Sequence, residues 1–355
     1  MMNYLAFPDI KEIEKISLFF IIGRSRSGTT LLRTMLDAHR NVIVPVECTY
    51  ILQLSRKYNK IKTWDESVID HFIEDIQKTW LFSSMNIDPV TLRKNLCQLD
   101  GSPSYLTVCK AVLFHAPVIF SKENIILAGD KNPSYSIQFK RLYKLFRNNC
   151  KYIYIVRDYR DQYISLKNAG VEITDITVST KRWVNSYKTI YWLTQKNKGN
   201  FHFLKYEDLV TQPAEELTKI CSFLGLDFDP KMLDFHTHKE DFRDVYSKQA
   251  IEGIHQSLLN PINADKTGIW KTLLNKNQTG LADFIAGKWA VMAGYQRSEI
   301  KNPVKYLILS MPGFILYYFA AFSEKLLALA PFKLYLKYSG GAYFGSLWNK
   351  YLRKH

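Results

Sequence analysis

Short apolar runs recur along the chain and end at glycine or polar residues, which is the pattern of buried parallel strands. The first run, ISLFFII at residues 16–22, is followed by Gly23. The strongest strand signal is KYIYIV at residues 151–156. Further strands are predicted at residues 41–46, 125–128 and 201–204.

Segments with helical spacing lie between these runs. They comprise residues 29–38, 162–169 and 213–224, with helical patterning throughout residues 48–120. Strands that alternate with helices predict an α/β fold, in which a parallel sheet and its flanking helices form three layers. Such sheets bind ligands at the carboxyl ends of their strands. Four of these ends carry Arg26, Glu47, Lys131 and Arg157.

The composition changes once along the chain. The sequence has 355 residues, of which 47% are apolar, and this is enough for one elaborated domain. No internal repeat or Pro/Gly/Ser linker divides it. We predict a domain over residues 1–300 and a basic, apolar, helical extension over residues 301–355.

The formal net charge of +15 at pH 7 favours an anionic partner, whether a nucleotide, a sulfated or phosphorylated substrate, nucleic acid or an acidic membrane. The five cysteines are widely spaced and include no C-x-x-C pair, which argues against a disulfide framework or a zinc site. The charged N-terminal segment lacks the apolar stretch of a secretory signal. We therefore expect a cytoplasmic protein.

The extension combines apolar and basic residues. Residues 306–323 are uncharged, and from Lys301 onward eight Lys or Arg residues accompany one acid, Glu324. Helices lying on the surface of an anionic membrane would explain this pattern, and would place the protein on the inner face of that membrane. A helical cap on the core is the alternative, while the uncharged run is at the lower length limit for a span.

The segment IIGRSRSGTT at residues 21–30 has the spacing of a G-x-x-x-x-G-K-[ST] phosphate-binding loop. Thr29 stands where that loop has its lysine, and Arg24 and Arg26 place guanidinium groups beside it. Without the lysine that contacts nucleotide triphosphates, a P-loop kinase or NTPase is the weaker alternative. A non-enzymatic protein that binds acidic lipid or nucleic acid is a third hypothesis.

Two segments, GRSRSGTTLL and IVRDYRDQYISLKN, resemble the two cofactor motifs of the sulfotransferases. This resemblance implies a P-loop-like sulfotransferase fold and 3′-phosphoadenosine 5′-phosphosulfate (PAPS) as the nucleotide sulfuryl donor, without a metal ion. The family's first motif surrounds the 5′-phosphosulfate, and its second motif binds the 3′-phosphate. The matching residues are Arg26, Ser27, Gly28, Thr29 and Thr30 in the first motif, and Arg157 and Ser165 in the second.

Three further segments carry the resemblance, which extends over residues 16–275. GDKNPSY contains Lys131, and KYEDL contains Tyr206, which the resemblance places near the nucleotide. DKTGIWK is similar to the loop that closes over the cofactor, with Lys266 and Gly268 as contacts. It departs from the arginine-lysine-glycine triplet of the cytosolic enzymes, so these two assignments depend on fewer matching positions.

Glu47 is the predicted catalytic base. Its separation of 21 residues from Arg26 is similar to that in tyrosylprotein sulfotransferases, and a carboxylate can take the proton of an attacking hydroxyl. Capping a helix or pairing with Arg24 are the structural alternatives. His39 and His115 are rival bases, although His115 lies in an apolar stretch typical of a core histidine.

Lys131 and Arg26 are predicted to offset negative charge on the leaving phosphate. The expected acceptor is a hydroxyl compound. The basic, aromatic-rich chain and its apolar extension favour a lipophilic alcohol such as a sterol, a lipid or a glycolipid, with a soluble glycan or a peptide tyrosine as alternatives. No nucleic acid partner is expected.

Overall fold

The computed structural model describes residues 3–99, 102–195, 197–246 and 256–339. Within them, five strands form one parallel sheet in the order β2-β3-β1-β4-β5. The strands are β1 Ser17–Ile22, β2 Val42–Ile43, β3 Leu127–Lys131, β4 Cys150–Val156 and β5 Phe201–Lys205. The predicted α/β fold with a parallel sheet is confirmed.

Helices connect the strands and flank the sheet. Before β4 they are α1 Ile10–Lys15, α2 Thr29–Asp37, α3 Tyr50–Tyr58, α4 Glu66–Gln77, α5 Pro89–Cys97, α6 Tyr105–Leu113 and α7 Tyr135–Phe146. After β4 they are α8 Tyr159–Ala169, α9 Ile176–Thr194, α10 Tyr206–Thr211, α11 Pro213–Leu224, α12 Lys239–Val245, α13 Trp270–Leu273, α14 Lys276–Ala286 and α15 Lys288–Met292. The last two described helices are α16 Pro303–Leu329 and α17 Phe332–Tyr338.

The register of the sheet brings several strand ends together. Ile21 of β1 pairs with Lys131 of β3, and the next residue, Ile22, pairs with Tyr154 of β4. Apart from Ser17 and Lys151, the residues of β1 and β4 are apolar and buried, as expected of a parallel sheet that is covered on both faces. The chain segments that leave β1, β3 and β4 therefore start side by side.

The strand predicted at residues 41–46 is shorter than expected, because β2 contains only Val42 and Ile43. The amide of the next residue, Val44, donates to the carboxylate of Asp37 instead of to a strand, and Pro45 after it has no amide hydrogen to donate. Glu47 consequently lies on a buried turn beyond the strand rather than at its last residue. The helix predicted from residue 162 begins earlier, at Tyr159, where the side chain of Asp158 caps it through the amide of Arg160.

The helices α16 and α17 pack on the domain through one side. Ala320 contacts a small core with Ile173 and Val178, and Gly313 allows a close approach to Thr177 on α9. The helix α16 continues through Pro312. The predicted boundary at residue 300 stays a prediction, and residues 340–355 of the extension, with Lys350, Arg353 and Lys354, lie outside the described residues.

Candidate active site

The loop between β1 and α2 is tightly folded. Arg26 and Gly28 have positive φ angles of 67° and 89°, a backbone region in which glycine is unstrained. A Cβ atom on Gly28 would lie 2.4 Å from the ring of Tyr206. The helix α2 starts at Thr29 without a side-chain cap, so its first N–H groups are available to an anion.

The predicted residues of the two motifs contact each other across this loop. Arg26 Nε donates to Ser165 Oγ at 3.0 Å, and Arg157 donates to the carbonyl of Arg26 at 2.9 Å. The guanidinium of Arg157 also lies 4.5 Å from the centre of the Tyr206 ring. Ser27 is buried, and its hydroxyl accepts a hydrogen bond of 3.1 Å from Gln162 on α8.

The loop that contains Lys266 and Gly268 is held against the second motif. Arg157 donates to the carbonyl of Lys266 at 2.5 Å. The carboxylate of Asp161 accepts from the amides of Gly268 and Trp270 at 2.6 and 2.8 Å. The side chain of Lys266 is exposed, near the guanidinium groups of the first two motifs.

On the other side of the loop, Lys131 at the end of β3 forms an ion pair with Glu47 and donates to Thr30 Oγ1 at 3.2 Å. The side chain of Lys131 is 3% exposed, whereas that of Glu47 is 23% exposed. Glu47 therefore pairs with Lys131 rather than with Arg24, whose partner is Glu172. A buried ammonium and a partly accessible carboxylate meet beside the start of α2.

The first loop, Glu47 and Lys131 line a cavity of about 1420 Å³, whereas Arg157, Ser165 and Lys266 lie outside its wall. One end contains Arg26, Thr30, Glu47 and Lys131. The cavity then extends between α7 and α9 to the extension helices, where Tyr317, Glu324 and Tyr335 contribute to its wall. Pockets for a single small ligand are typically about 300–1000 Å³, so this cavity is larger than one small ligand requires.

The arrangement of charges fits a nucleotide with several anionic groups. Arg26, Arg157 and Lys266 lie close together. Partial desolvation by the surrounding protein, followed by repulsion among these cations, lowers the pKa of Arg26 and of Lys266. Arg157 Nε and Arg24 Nε are buried without a hydrogen-bond partner among the described residues. Buried donors of this kind are normally satisfied, and phosphate oxygens would satisfy them.

The model of the Sulfotransferase family matches residues 19–230. The chain belongs to this family. The protein-tyrosine sulfotransferase of Drosophila melanogaster is 25% identical over 268 residues, and protein-tyrosine sulfotransferase A of Caenorhabditis elegans is 26% identical over 280 residues. The matches cover 72% and 75% of this chain, but only 47% and 64% of those relatives.

Other sulfotransferases are similar to this chain as well. The omega-hydroxy-beta-dihydromenaquinone-9 sulfotransferase of Mycobacterium bovis is 25% identical over 267 residues, which is 63% of this chain and 68% of that relative. The sulfotransferase domain of the curacin biosynthetic pathway superposes with a TM-score of 0.50 at 21% identity, and covers 80% of this chain and 99% of that domain. The sulfotransferase fold predicted from the sequence is confirmed.

Two charged residues of this chain lie in the cavity although no sequence pattern identified them. Glu172 pairs with Arg24 of the first loop and with Arg182 of α9, and Arg182 in turn donates to Glu324 of α16 at 2.8 Å. Burial alone would raise the pKa of Glu172, but the two arginines outweigh it and lower the pKa to about 2. The outer partners of this pair, Arg24 and Glu324, come from distant parts of the chain.

Asp161 also contributes to the site and was detectable from the sequence, because it lies inside the second cofactor motif, four residues after Arg157.

The rival histidines have structural contacts: His39 bonds to the carbonyl of Asp227 at 3.0 Å, and His115 to that of Ala111 at 2.9 Å. Trp183 is buried and donates to the carbonyl of Arg157 at 2.9 Å. It is a core residue.

Proposed function

We propose that this protein transfers the sulfuryl group of PAPS to a hydroxyl acceptor, with Glu47 as the general base. One observation carries the proposal: the Glu47–Lys131 pair and the cationic cluster of Arg26, Arg157 and Lys266 flank the same loop and the same helix start. Base and anion site thus lie on either side of one loop. Membership of the sulfotransferase family supports the proposal.

The residues fit the nucleotide in two groups. The first comprises Arg26, Ser27, Gly28, Thr29 and Thr30 for the 5′-phosphosulfate, and the second Arg157 and Ser165 for the 3′-phosphate. Tyr206, Lys266 and Gly268 border the nucleotide. When bound, PAPS supplies the sulfuryl group, whose transfer leaves 3′-phosphoadenosine 5′-phosphate (PAP). No metal ion is required in this proposal.

The remaining work is done by side chains of the protein. Glu47 is partly accessible from the cavity, so it can accept the proton of an acceptor hydroxyl and thereby favour attack by that oxygen. Lys131 holds Glu47 in place by the ion pair and brings a positive charge next to Thr30. Together with Arg26 it favours the negative charge that develops as the bond to the leaving phosphate breaks.

The kinase alternative is weaker for a structural reason. In kinase and NTPase loops the serine or threonine after the lysine holds magnesium. Here the equivalent hydroxyl, that of Thr30, accepts a hydrogen bond from the ammonium of Lys131, and the presence of a cation at this position disfavours a second one.

The favoured acceptor is a lipophilic alcohol such as a sterol, a lipid or a glycolipid. The cavity is large and reaches the apolar extension helices, and one relative is named for a menaquinone with a hydroxyl group. Soluble glycans remain an alternative. Peptide tyrosine is another, since two relatives are named for it.

We further propose that the protein is cytoplasmic and binds peripherally to an anionic membrane surface. Within the described part of the chain, one helix, Pro303–Leu329, is long and apolar enough to cross a membrane by length and composition. The excess of basic residues in the extension supports contact with acidic lipids.

Calorimetric titration of the full chain tests the function. We expect micromolar or tighter affinity for PAP, and none of comparable strength for ATP or DNA. Incubation with radiolabelled PAPS and fractionated host extract then identifies the acceptor class. Binding of ATP in preference to PAP would contradict the proposal, as would salt-sensitive DNA binding without PAP binding, and label confined to water-soluble oligosaccharide would contradict the lipophilic acceptor.

A further inference from the structure

The helix α16 has two distinct sides. Its inner stripe, at successive spacings of three or four residues, consists of Tyr306, Ser310, Gly313, Tyr317, Ala320 and Glu324. Its outer stripe, at the same spacings, consists of Ile308, Met311, Ile315, Phe319, Phe322, Leu326 and Leu329. Residues three or four apart share one face of a helix, and these two stripes lie on opposite faces.

The inner stripe is attached to the domain over most of its length. Tyr306 lies against Gly280, and the hydroxyl of Tyr317 accepts a hydrogen bond from Asn185. Glu324 accepts from Arg182. These contacts fix α16 along the side of the domain, and a helix that crossed a bilayer would have to break the polar ones and bury Glu324 in hydrocarbon.

The outer stripe is exposed. The solvent-exposed fraction of its residues ranges from 53% at Leu326 to 82% at Leu329. At 1.5 Å per residue, the 27 residues of α16 extend over about 40 Å. A continuous apolar face of this length on the surface of a protein marks an interaction site.

The charges around the stripe indicate which partner covers it. Exposed lysines lie before α16, within it and along α17: Lys301, Lys305, Lys325, Lys333 and Lys337. Glu324 is the one acid among the described residues from 301 onward, and it is paired with Arg182. An apolar helix face bordered by lysines complements anionic headgroups above acyl chains, whereas a second copy of this face would bring like charges together.

The cavity opens next to this face. Glu324, Lys325 and Ala328 line the cavity and are also exposed, so they form part of its rim. Phe322, Leu326 and Leu329 of the outer stripe are their neighbours on the helix. An acceptor that leaves the bilayer beside α16 therefore meets the rim without crossing bulk water.

We propose that α16 lies in the plane of an anionic membrane through its outer stripe, and that a membrane-resident alcohol enters the cavity past the rim at Lys325 and Ala328. The docking part deepens the peripheral membrane binding proposed above and does not depend on sulfuryl transfer. The entry part rests on the proposed function, because it names the route by which the acceptor reaches Glu47.

Flotation of the full chain with vesicles tests the docking. The wild type should bind vesicles of phosphatidylcholine with phosphatidylglycerol more strongly than vesicles of phosphatidylcholine alone. Ile315→Asn combined with Phe322→Asn should reduce the partition coefficient at least about tenfold, since two large apolar side chains leave the lipid contact. The matched control, Val90→Asn with Val291→Asn, changes two apolar residues that are equally exposed outside α16 and should bind like the wild type.

Three results would overturn the docking: unchanged flotation of the stripe variant, resistance of the bound protein to an alkaline carbonate wash, which indicates a span, or a lipid-free dimer that the stripe substitutions dissociate. The affinity for PAP should be the same in all variants. If the wild type does not bind PAP, the proposed function is contradicted, whereas the docking result stands.

Transfer of the radiolabelled sulfuryl group from PAPS to 1-hexadecanol tests the entry route. The stripe variant should show a lower kcat/KM than the wild type when the alcohol is presented in phosphatidylglycerol-containing vesicles, and an equal value when the alcohol is dispersed in detergent. Equal loss in both conditions would refute entry from the bilayer. If the protein binds PAP but forms no labelled hexadecyl sulfate, long-chain alcohols are refuted as the acceptor class.

Discussion

Glu47 is held by a lysine that is almost completely buried, so its carboxylate is oriented before an acceptor arrives. We expect Glu47→Gln to lower kcat by roughly a hundredfold or more, because an amide cannot take a proton from the attacking hydroxyl. The affinity for PAP, measured by calorimetry, should change little. The control Glu123→Gln alters an exposed glutamate paired with Arg40 and should leave both quantities unchanged; similar kcat values for the two variants would exclude Glu47 as the base.

Asp130, beside Lys131, gives a prediction about pH and stability. Burial raises the pKa of its carboxyl from 3.8 to about 7 in the folded protein. Between these values the folded state keeps a proton that the unfolded chain has released, so this group makes the free energy of unfolding fall as the pH rises through that window.

Asp130→Asn should remove this dependence, since an amide does not titrate. Relative to that of the wild type, the free energy of unfolding of the variant should increase by up to about 3 kcal/mol as the pH rises from 5 to 8. Urea unfolding at several pH values measures it, with Glu299→Gln, an exposed carboxyl, as the control. Parallel pH profiles of the wild type and Asp130→Asn would contradict this assignment.

The proximity of Glu47 and Lys131 is predictable from the sequence, because Lys131 ends β3 and Glu47 follows β2, and the carboxyl ends of parallel strands share an edge. The contact between Arg26 and Ser165 follows from the pairing of β1 with β4 and is seen in the structure alone. The sequence did not identify Glu172. The partners of that glutamate lie on the first loop and on α9, and a glutamate after a helix end has no periodic or motif signal.

Among the elements, the loop that contains Lys266 and Gly268 is held by the carboxylate of Asp161 together with the guanidinium of Arg157. Asp161→Asn should weaken PAP binding about tenfold, because an amide cannot accept both amide hydrogen bonds with the strength of a carboxylate. Calorimetry measures the affinity. Asp265→Asn changes an exposed residue of the same loop and should have a much smaller effect on the affinity. Equal effects of the two substitutions would mean that the loss of a negative charge, and not the position of the loop, changes the affinity for PAP.

Element boundaries were predicted less well than element types. β2 ends before Pro45, and α8 begins at Tyr159 because Asp158 caps it. Both outcomes depend on backbone hydrogen bonds rather than on apolar periodicity. The helix at residues 213–224 was predicted to the residue, since Pro213 at its start and Gly225 after its end are strong signals.

At the scale of the whole molecule, the charges Arg24–Glu172–Arg182–Glu324 connect the first loop to α16. Arg182→Gln should lower the free energy of unfolding by about 2 kcal/mol and increase amide hydrogen exchange in residues 317–329, because α16 loses its ion pair with α9. The control Arg243→Gln breaks an exposed pair with Glu240. Exchange rates in α16 that match between the two variants would contradict this coupling.

The composition of the extension predicted an apolar, basic helical segment, but periodicity could not assign its two sides. Uncharged residues occur all around α16, so the sequence alone does not distinguish a stripe that packs from a stripe that stays exposed. That distinction depends on tertiary contacts, such as the approach of Gly313 to Thr177.

Pro312 has a consequence for how deeply α16 can enter a lipid layer. Since proline has no amide hydrogen, the carbonyl of Ile308 loses the hydrogen bond that it would accept from residue 312, and Ile308 is 60% exposed on the outer stripe. An unsatisfied carbonyl costs several kcal/mol in hydrocarbon but little where water can reach it. In the proposed docking, Pro312 therefore favours a position of the helix at the hydrated boundary between headgroups and acyl chains, the level at which the hydroxyl groups of membrane alcohols reside.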